Sequence, residues 1–141
     1  MSVYLDASAL VPTLIKEAGT KAVDDFLCAT DDLLVVSDLA AAEVTSAVSR
    51  LLRTGRLGRD QADALLDEFD VWRAAATTTV DFLPADFRQG KLFVRNFDLG
   101  LRAPDALHAA ICRRTGDRMV TLDRRLATAA ATLGVAVEHL A

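Results

Sequence analysis

Four acidic side chains lie where a predicted strand ends or the following helix begins: Asp6, Glu43, Asp105 and Asp123. They are far apart in sequence, so only folding can bring them together, and like charges brought together need a cation. Their carboxylate oxygens are hard ligands, no cysteine lies close to them in sequence, and the nearest histidine is His108. This donor set favours Mg²⁺ or Mn²⁺ over zinc.

Three of these acids also have a purely structural explanation. Asp6, Asp105 and Asp123 fall where helices begin, and aspartate is a favoured residue there because it accepts backbone N–H groups. Glu43 is different, because it lies on the inward edge of an apolar helix stripe, where an unpaired charge is costly. A metal ion or another partner is therefore expected at Glu43.

The elements predicted to position the acids alternate between strands and helices. Apolar, β-type runs predict strands at 3–5, 33–37, 77–83, 118–122 and 136–138. Helical spacing and caps predict helices at 7–15, 21–28, 38–54, 59–76, 84–97, 104–114 and 124–133, with a distortion at Pro12 and a loop at 98–101. This order implies an α/β fold with a parallel sheet covered on both faces. In such a sheet the carboxyl ends of the strands share one edge, so the four acids converge there by topology.

Composition and charge place limits on the molecule. The 141 residues are 52% hydrophobic and 26% charged, which predicts a single globular domain over 1–141. The net charge of −4 disfavours binding nucleic acid through global positive charge, but two divalent ions at the acidic site would offset it. Local contacts with a nucleic acid therefore remain open.

The expected location is the cytoplasm. The amino terminus has no basic region followed by an apolar core, as a secretory signal would, and the longest uncharged stretch, 126–137, is shorter than the about 20 residues that span a bilayer. No membrane partner is expected. Cys28 and Cys112 lack metal or disulfide spacing, and both are predicted to be reduced core residues.

Four segments around the acids together resemble the PIN-domain ribonucleases, and most closely the VapC-type toxins of toxin-antitoxin operons. They read VYLDASAL at 3–10, SDLAAAEV at 37–44, APDALHAA at 103–110 and MVTLDRRL at 119–126. The resemblance covers nearly the whole chain and implies a PIN-like three-layer sandwich with a central parallel sheet of four to five strands flanked by helices. It departs nowhere from the acidic pattern, while 55–97 carries little family signal.

The resemblance also implies an activity: a Mg²⁺- or Mn²⁺-dependent endoribonuclease that cleaves RNA by metal-activated water, with Asp6, Glu43, Asp105 and Asp123 as catalytic and metal-binding residues. Ser8 and Thr121 would support the site by orienting a ligand or water. Arg124 and Arg125, beside Asp123, are the basic residues expected nearest the substrate. Six further basic residues are candidates to line a path for the RNA backbone, although a solvated helix face explains most of them equally well: Arg50, Arg53, Arg56, Lys91, Arg95 and Arg102.

The implied partners are RNA, a cognate antitoxin protein and a second copy of the chain. Broad apolar stripes on the third and fourth predicted helices are candidates for the homodimer or antitoxin contact: Leu51, Leu52, Leu65, Leu66, Phe69 and Trp72. His108 and His139 are not expected to act in catalysis. His108 is expected to pack in the core, and His139 to be exposed.

Other functions are weighed against this one. A haloacid-dehalogenase phosphatase needs a second Asp two residues after the strand-end Asp, where this chain has Ser8. A receiver domain needs an acidic pair before its acceptor and a strand-end lysine, and the lysines Lys16, Lys21 and Lys91 are not so placed. Within the PIN family, a housekeeping RNA-processing nuclease without an antitoxin and a catalytically silent RNA-binding scaffold remain alternatives.

Overall fold

Five parallel strands form one sheet in the computed structural model, which describes residues 1–140. The strand order across the sheet is β3-β2-β1-β4-β5. In the central pairs, Tyr4 lies opposite Val35 on one side and Met119 on the other. The strands are β1 (Ser2–Leu5), β2 (Leu33–Val35), β3 (Thr77–Thr78), β4 (Arg118–Thr121) and β5 (Val137–His139).

Helices connect the strands and cover the sheet. Within residues 1–140 they are α1 (Ala7–Leu14), α2 (Thr20–Ala29), α3 (Asp38–Arg53), α4 (Arg59–Ala76), α5 (Pro84–Arg95), α6 (Ala103–Thr115) and α7 (Arg124–Thr132), with a 3₁₀ turn at Phe97–Leu99. The α/β architecture expected from the alternating pattern, a parallel sheet of up to five strands flanked by helices, is confirmed. None of the helices within residues 1–140 has the length and apolar character that a membrane crossing requires.

Alternation along β1 and β4 divides the core into two layers of side chains. Tyr4 and Met119 point into a cluster formed with α6 and α7, whereas Val3, Leu5 and Val120 point into a second cluster formed with α1 and α3. This is the period of two that a strand buried on both faces requires. Asp6 follows the last residue of β1 and therefore lies at the carboxyl edge of the sheet.

One predicted strand and one predicted loop differ from the structure. The strand expected at 77–83 is limited to Thr77–Thr78, because β3 is an edge strand whose only neighbour, β2, offers just two register positions. Val80 and Phe82 instead pack against the core. The loop expected at 98–101 starts with the 3₁₀ turn, which Gly100 closes in the left-handed conformation (φ 63°).

The two cysteines lie in different environments. Cys112 is buried on α6, as expected, but Cys28 is exposed near the end of α2, so the prediction of a core position for Cys28 was wrong. Cys28 lies on the solvent side of an amphipathic helix of which only Val23 is fully buried. His139, expected to be exposed, is half-buried with its Nε2 3.2 Å from the Leu122 carbonyl oxygen.

Candidate active site

Asp6 is a buried carboxylate at the end of the central strand. Its Oδ1 accepts hydrogen bonds from the Ala9 N–H (3.1 Å) and the Ser8 hydroxyl (2.8 Å), and its Oδ2 accepts one from Thr121 Oγ1 (2.7 Å). Asp6 is only 4% exposed and forms no ion pair within residues 1–140. Burial raises the pKa of Asp6, and these hydrogen bonds oppose that rise. A buried carboxylate with no ion-pair partner is where a bound cation is expected.

Thr121 and Ser8 join the ends of β1 and β4. Thr121 Oγ1 donates to Asp6 and accepts the Asp123 N–H at 3.0 Å, while Ser8 Oγ accepts the Leu122 N–H at 2.9 Å. The two hydroxyl oxygens are 3.0 Å apart. Both predicted supporting residues therefore hold Asp6, and Thr121 also holds the backbone that carries Asp123.

Asp123 and Asp105 lie at the beginnings of two helices, as expected. Asp123 caps α7 by accepting the Leu126 N–H at 3.1 Å. Asp105, in the first turn of α6, accepts the Arg102 N–H at 3.2 Å and lies 3.7 Å from Arg102 Nε. Both side chains thus perform the capping role, which leaves further carboxylate lone pairs available to a ligand.

Glu43 lies in the second turn of α3 and contacts α6 through a histidine. Its Oε1 is 2.5 Å from His108 Nε2, and its side chain is 34% exposed, whereas His108 is 2% exposed. The expected burial of His108 is confirmed, but its contact with Glu43 was missed. The available signal was spacing: His108 follows Asp105 by three residues, which places both on one helix face.

The donor chemistry of the four acids fits a hard divalent ion. The structure links Asp6 to Asp123 through Thr121, and it links Glu43 to α6 through His108. Within residues 1–140, however, no group of three or more His, Cys, Asp or Glu side chains is spaced to hold a metal ion. Mg²⁺ keeps several water ligands and commonly binds through one or two carboxylates, so a closed cage of protein ligands is not required.

A cleft of about 760 Å³ opens beside Glu43 and Ser8, between α1 and α3. Four arginines line it: Arg50, Arg53, Arg56 and Arg102. Arg124 and Arg125, the pair expected nearest the substrate, do not line this cleft; Arg124 is exposed, and Arg125 donates to the Gly100 carbonyl at 2.9 Å. The acidic edge of the sheet therefore adjoins a basic surface supplied mainly by the end of α3.

Two smaller apolar pockets lie elsewhere on the surface. One, of about 310 Å³, is lined by Phe69 and Trp72 of α4 together with Leu14 and Leu27. The other, of about 350 Å³, lies between α5 and α6. Large exposed apolar side chains accompany it on α5 and the 3₁₀ turn: Phe87, Leu92 and Phe97. Phe69 itself is a core residue, so the predicted contact stripe on α4 is partly internal.

Comparison with known proteins identifies the family to which this chain belongs. The family model for the PIN domain matches residues 3–131. The chain therefore belongs to the PIN-domain family, which rules out the phosphatase and receiver alternatives.

Within the PIN-domain family, the chain is similar to the VapC ribonucleases. The chain is 35% identical over 139 residues to ribonuclease VapC46 of Mycobacterium tuberculosis, covering 96% of this chain and 95% of that protein. Its fold matches that of VapC20 of M. tuberculosis, a toxin that cleaves the sarcin-ricin loop, with a TM-score of 0.73 at 15% identity over 94% of this chain and 95% of that one. It also matches VapBC2 of Rickettsia felis, solved with a promoter DNA fragment, with a TM-score of 0.72 at 16% identity over 100% of both chains.

Proposed function

We propose that this protein is a Mg²⁺- or Mn²⁺-dependent endoribonuclease and the toxin of a toxin-antitoxin pair. The single observation that carries the metal site is Asp6: a buried carboxylate, held by three hydrogen bonds, with no cationic partner within residues 1–140. The family and its ribonuclease relatives support the reaction class. Asp6, Glu43, Asp105 and Asp123 are assigned as the metal-binding and catalytic residues.

The reaction is hydrolysis of an RNA phosphodiester bond. A divalent ion, when bound, supplies an acidified water as nucleophile and neutralises charge on the scissile phosphate. Asp6 has three of its roughly four lone-pair sites fixed by Ala9, Ser8 and Thr121, which orients the remaining site on Oδ2. Attack by water leaves 5′-phosphate and 3′-hydroxyl ends and needs neither the RNA 2′-hydroxyl nor a histidine base.

The arginine-lined cleft is the proposed path of the RNA backbone. Arg50, Arg53 and Arg56 belong to the end of α3 and the loop that follows, and all three are exposed. Guanidinium groups bind phosphate oxygens in a bidentate manner, so a single strand lying in this cleft would place a phosphate next to Glu43. Local positive charge here compensates for the net charge of −4.

The proposed protein partners are an antitoxin and a second copy of this chain. The structural neighbour from R. felis is a VapBC pair, which supports an antitoxin partner. A helix of an antitoxin would fit the groove lined by Phe69, Trp72 and Leu27, and the exposed apolar side chains of α5 would suit a homodimer contact. We place the protein in the cytoplasm, where its RNA substrate would be met.

Cleavage of total cellular RNA with mapping of the new ends tests the proposal. The purified protein is assayed with Mg²⁺, Mn²⁺ or EDTA beside Asp6→Asn and a control, Asp63→Asn, whose carboxylate is exposed on α4. We expect discrete, metal-dependent cuts with 5′-phosphate ends from the wild type and the control, and none from Asp6→Asn. Binding of RNA without cleavage would favour a silent scaffold, and cleavage with no antitoxin that suppresses it would favour a housekeeping nuclease.

A further inference from the structure

A chain of buried polar side chains leads from the sheet to Glu43. Ser37 Oγ lies 2.7 Å from Tyr4 Oη, Tyr4 Oη lies 2.5 Å from His108 Nδ1, and His108 Nε2 lies 2.5 Å from Glu43 Oε1. Ser37 and Tyr4 are fully buried and His108 is 2% exposed. The chain thus connects the beginning of α3, the centre of β1, α6 and the second turn of α3.

The hydrogen bonds that join these side chains have a single consistent donor-to-acceptor direction. Ser37 Oγ accepts the Ala40 N–H at 3.1 Å as the cap of α3, so its own proton is free to be donated. Within residues 1–140 the only acceptor it meets is Tyr4 Oη. Tyr4 therefore accepts from Ser37 and donates its phenol proton to His108 Nδ1.

The direction of the hydrogen bond between Tyr4 and His108 determines the tautomer of the His108 ring. Because Nδ1 of His108 accepts from Tyr4, the ring carries its proton on Nε2 and donates it to Glu43 Oε1. The reverse direction would leave the Ser37 hydroxyl proton buried without an acceptor. In the neutral ring it would also turn an Nε2 lone pair towards the Glu43 carboxylate, which is repulsive.

We propose that Tyr4 and His108 are positioning residues that orient the Glu43 carboxylate for a divalent ion. His108 occupies one lone pair of Oε1 and so aims the remaining lone pairs of the carboxylate at the cleft, while Tyr4 holds the ring. Outer hydrogen bonds of this kind orient metal ligands in many proteins. The inference rests on the proposed function, since it assumes that Glu43 serves a metal.

Two substitutions of the histidine separate positioning from packing. The amide of His108→Gln reaches the place of Nε2 and retains a donor for Glu43, whereas the shorter His108→Asn reaches only the place of Nδ1. We expect Mn²⁺ affinity, measured by calorimetry on the purified protein, to stay within about twofold of wild type in His108→Gln and to fall roughly tenfold in His108→Asn. Tyr4→Phe keeps the ring packing and is expected to give a smaller loss.

A second readout uses no metal and no RNA. Nitrogen-15 NMR of the ring in the metal-free protein should show His108 protonated on Nε2 and accepting at Nδ1. A proton on Nδ1, or equal Mn²⁺ affinity in His108→Asn and wild type, would overturn the inference. If the wild type cleaves no RNA yet the tautomer and the affinity difference are as expected, the nuclease proposal fails and the positioning role stands. If His108→Asn does not fold, the Mn²⁺ affinity of Tyr4→Phe and the nitrogen-15 spectrum of the His108 ring test the inference in its place.

Discussion

At the scale of residues, three of the acids proposed to bind metal also cap helices. Asp6, Asp105 and Asp123 each accept a backbone N–H at the start of a helix, as expected from their positions. Sequence spacing therefore located these side chains but did not distinguish the two roles. Spacing places His108 on the helix face of Asp105, but its contact with Glu43 also depends on the distance between α3 and α6 and on side-chain rotamers.

Asp6→Asn should raise the stability of the metal-free protein while removing activity. The pKa of Asp6 is raised by folding, so the unfolded state binds fewer protons than the folded state between the two pKa values, and stability falls as pH rises through that range. Asparagine removes the buried charge. We expect Tm at pH 7 to rise by a few degrees, the scale of about 1 kcal/mol in a domain of this size.

Thermal melts in EDTA across pH 4–8 measure the predicted change in stability, with Asp63→Asn as the control. The wild-type Tm should decline with rising pH relative to Asp6→Asn. A variant less stable than wild type at neutral pH would mean that the hydrogen bonds to Asp6 outweigh the cost of burying its charge.

Glu43→Gln should reduce metal-dependent cleavage by more than the roughly 10–100-fold typical of losing an outer-shell partner. The amide keeps the size of the side chain and can still accept from His108 Nε2, so folding is expected to be preserved. Single-turnover rates at saturating Mg²⁺ measure the loss, with circular dichroism as the check on folding. An unchanged rate would remove Glu43 from the site.

At the scale of elements, helix and strand order followed from sequence, while strand lengths did not. The β-type run at 77–83 was limited by its place at the sheet edge, a property of topology rather than of residue type. Helix boundaries were predicted better, because caps such as Ser37 and the left-handed Gly116 mark them locally.

A buried ion pair joins α5 to α6. Asp86, 2% exposed, caps α5 through the Leu83 N–H and accepts from Arg114 Nε (2.8 Å) and Nη2 (3.0 Å). Burial alone would raise the pKa of Asp86, but the hydrogen bonds from Arg114 and from the Leu83 N–H, together with the positive charge of Arg114, outweigh burial and lower the pKa. The stability contributed by this pair is therefore present above pH ~4, the ordinary range of an aspartate, and is lost as pH falls through the lowered pKa.

Arg114→Leu should destabilise the protein by about 1–3 kcal/mol. This is less than the roughly 3–5 kcal/mol of breaking a fully buried pair, because Arg114 is one-third exposed. Urea unfolding at pH 7 measures the change, and Arg88→Leu, an exposed position on the same pair of helices, is the control. A loss no larger than that of the control would show that Asp86 is satisfied without Arg114.

Arg50→Ala tests the basic cleft as the RNA path. Removing one phosphate contact from a single strand should weaken RNA binding and lower the slope of log K against log salt by about 0.7. Fluorescence anisotropy with a short single-stranded RNA and the Asp6→Asn background, which prevents cleavage, provides the measurement. Arg88→Ala changes the net charge equally and should leave the slope unchanged; a matching drop in both variants would locate the RNA elsewhere.

At the scale of the whole molecule, the five strands described are parallel, so their carboxyl ends share one edge, where Thr121 links Asp6 to Asp123. The placement of these two acids at one edge was predictable from the order of the elements. The shapes of the arginine cleft and the apolar pockets were not predictable, since they depend on how helices pack against one another. The sequence left Arg50, Arg53 and Arg56 equally explained as an RNA path or as a solvated face, and the structure places all three around one cavity.

The most direct test of the metal centre is the position of Mn²⁺ in crystals of the protein, determined by anomalous scattering. We expect a peak in contact with Asp6 and with at least one of Glu43, Asp105 and Asp123, absent from crystals of Asp6→Asn. A wild-type protein that cleaves RNA with Mn²⁺ while its crystals show no peak at these carboxylates, or a peak bound elsewhere, would contradict the assignment.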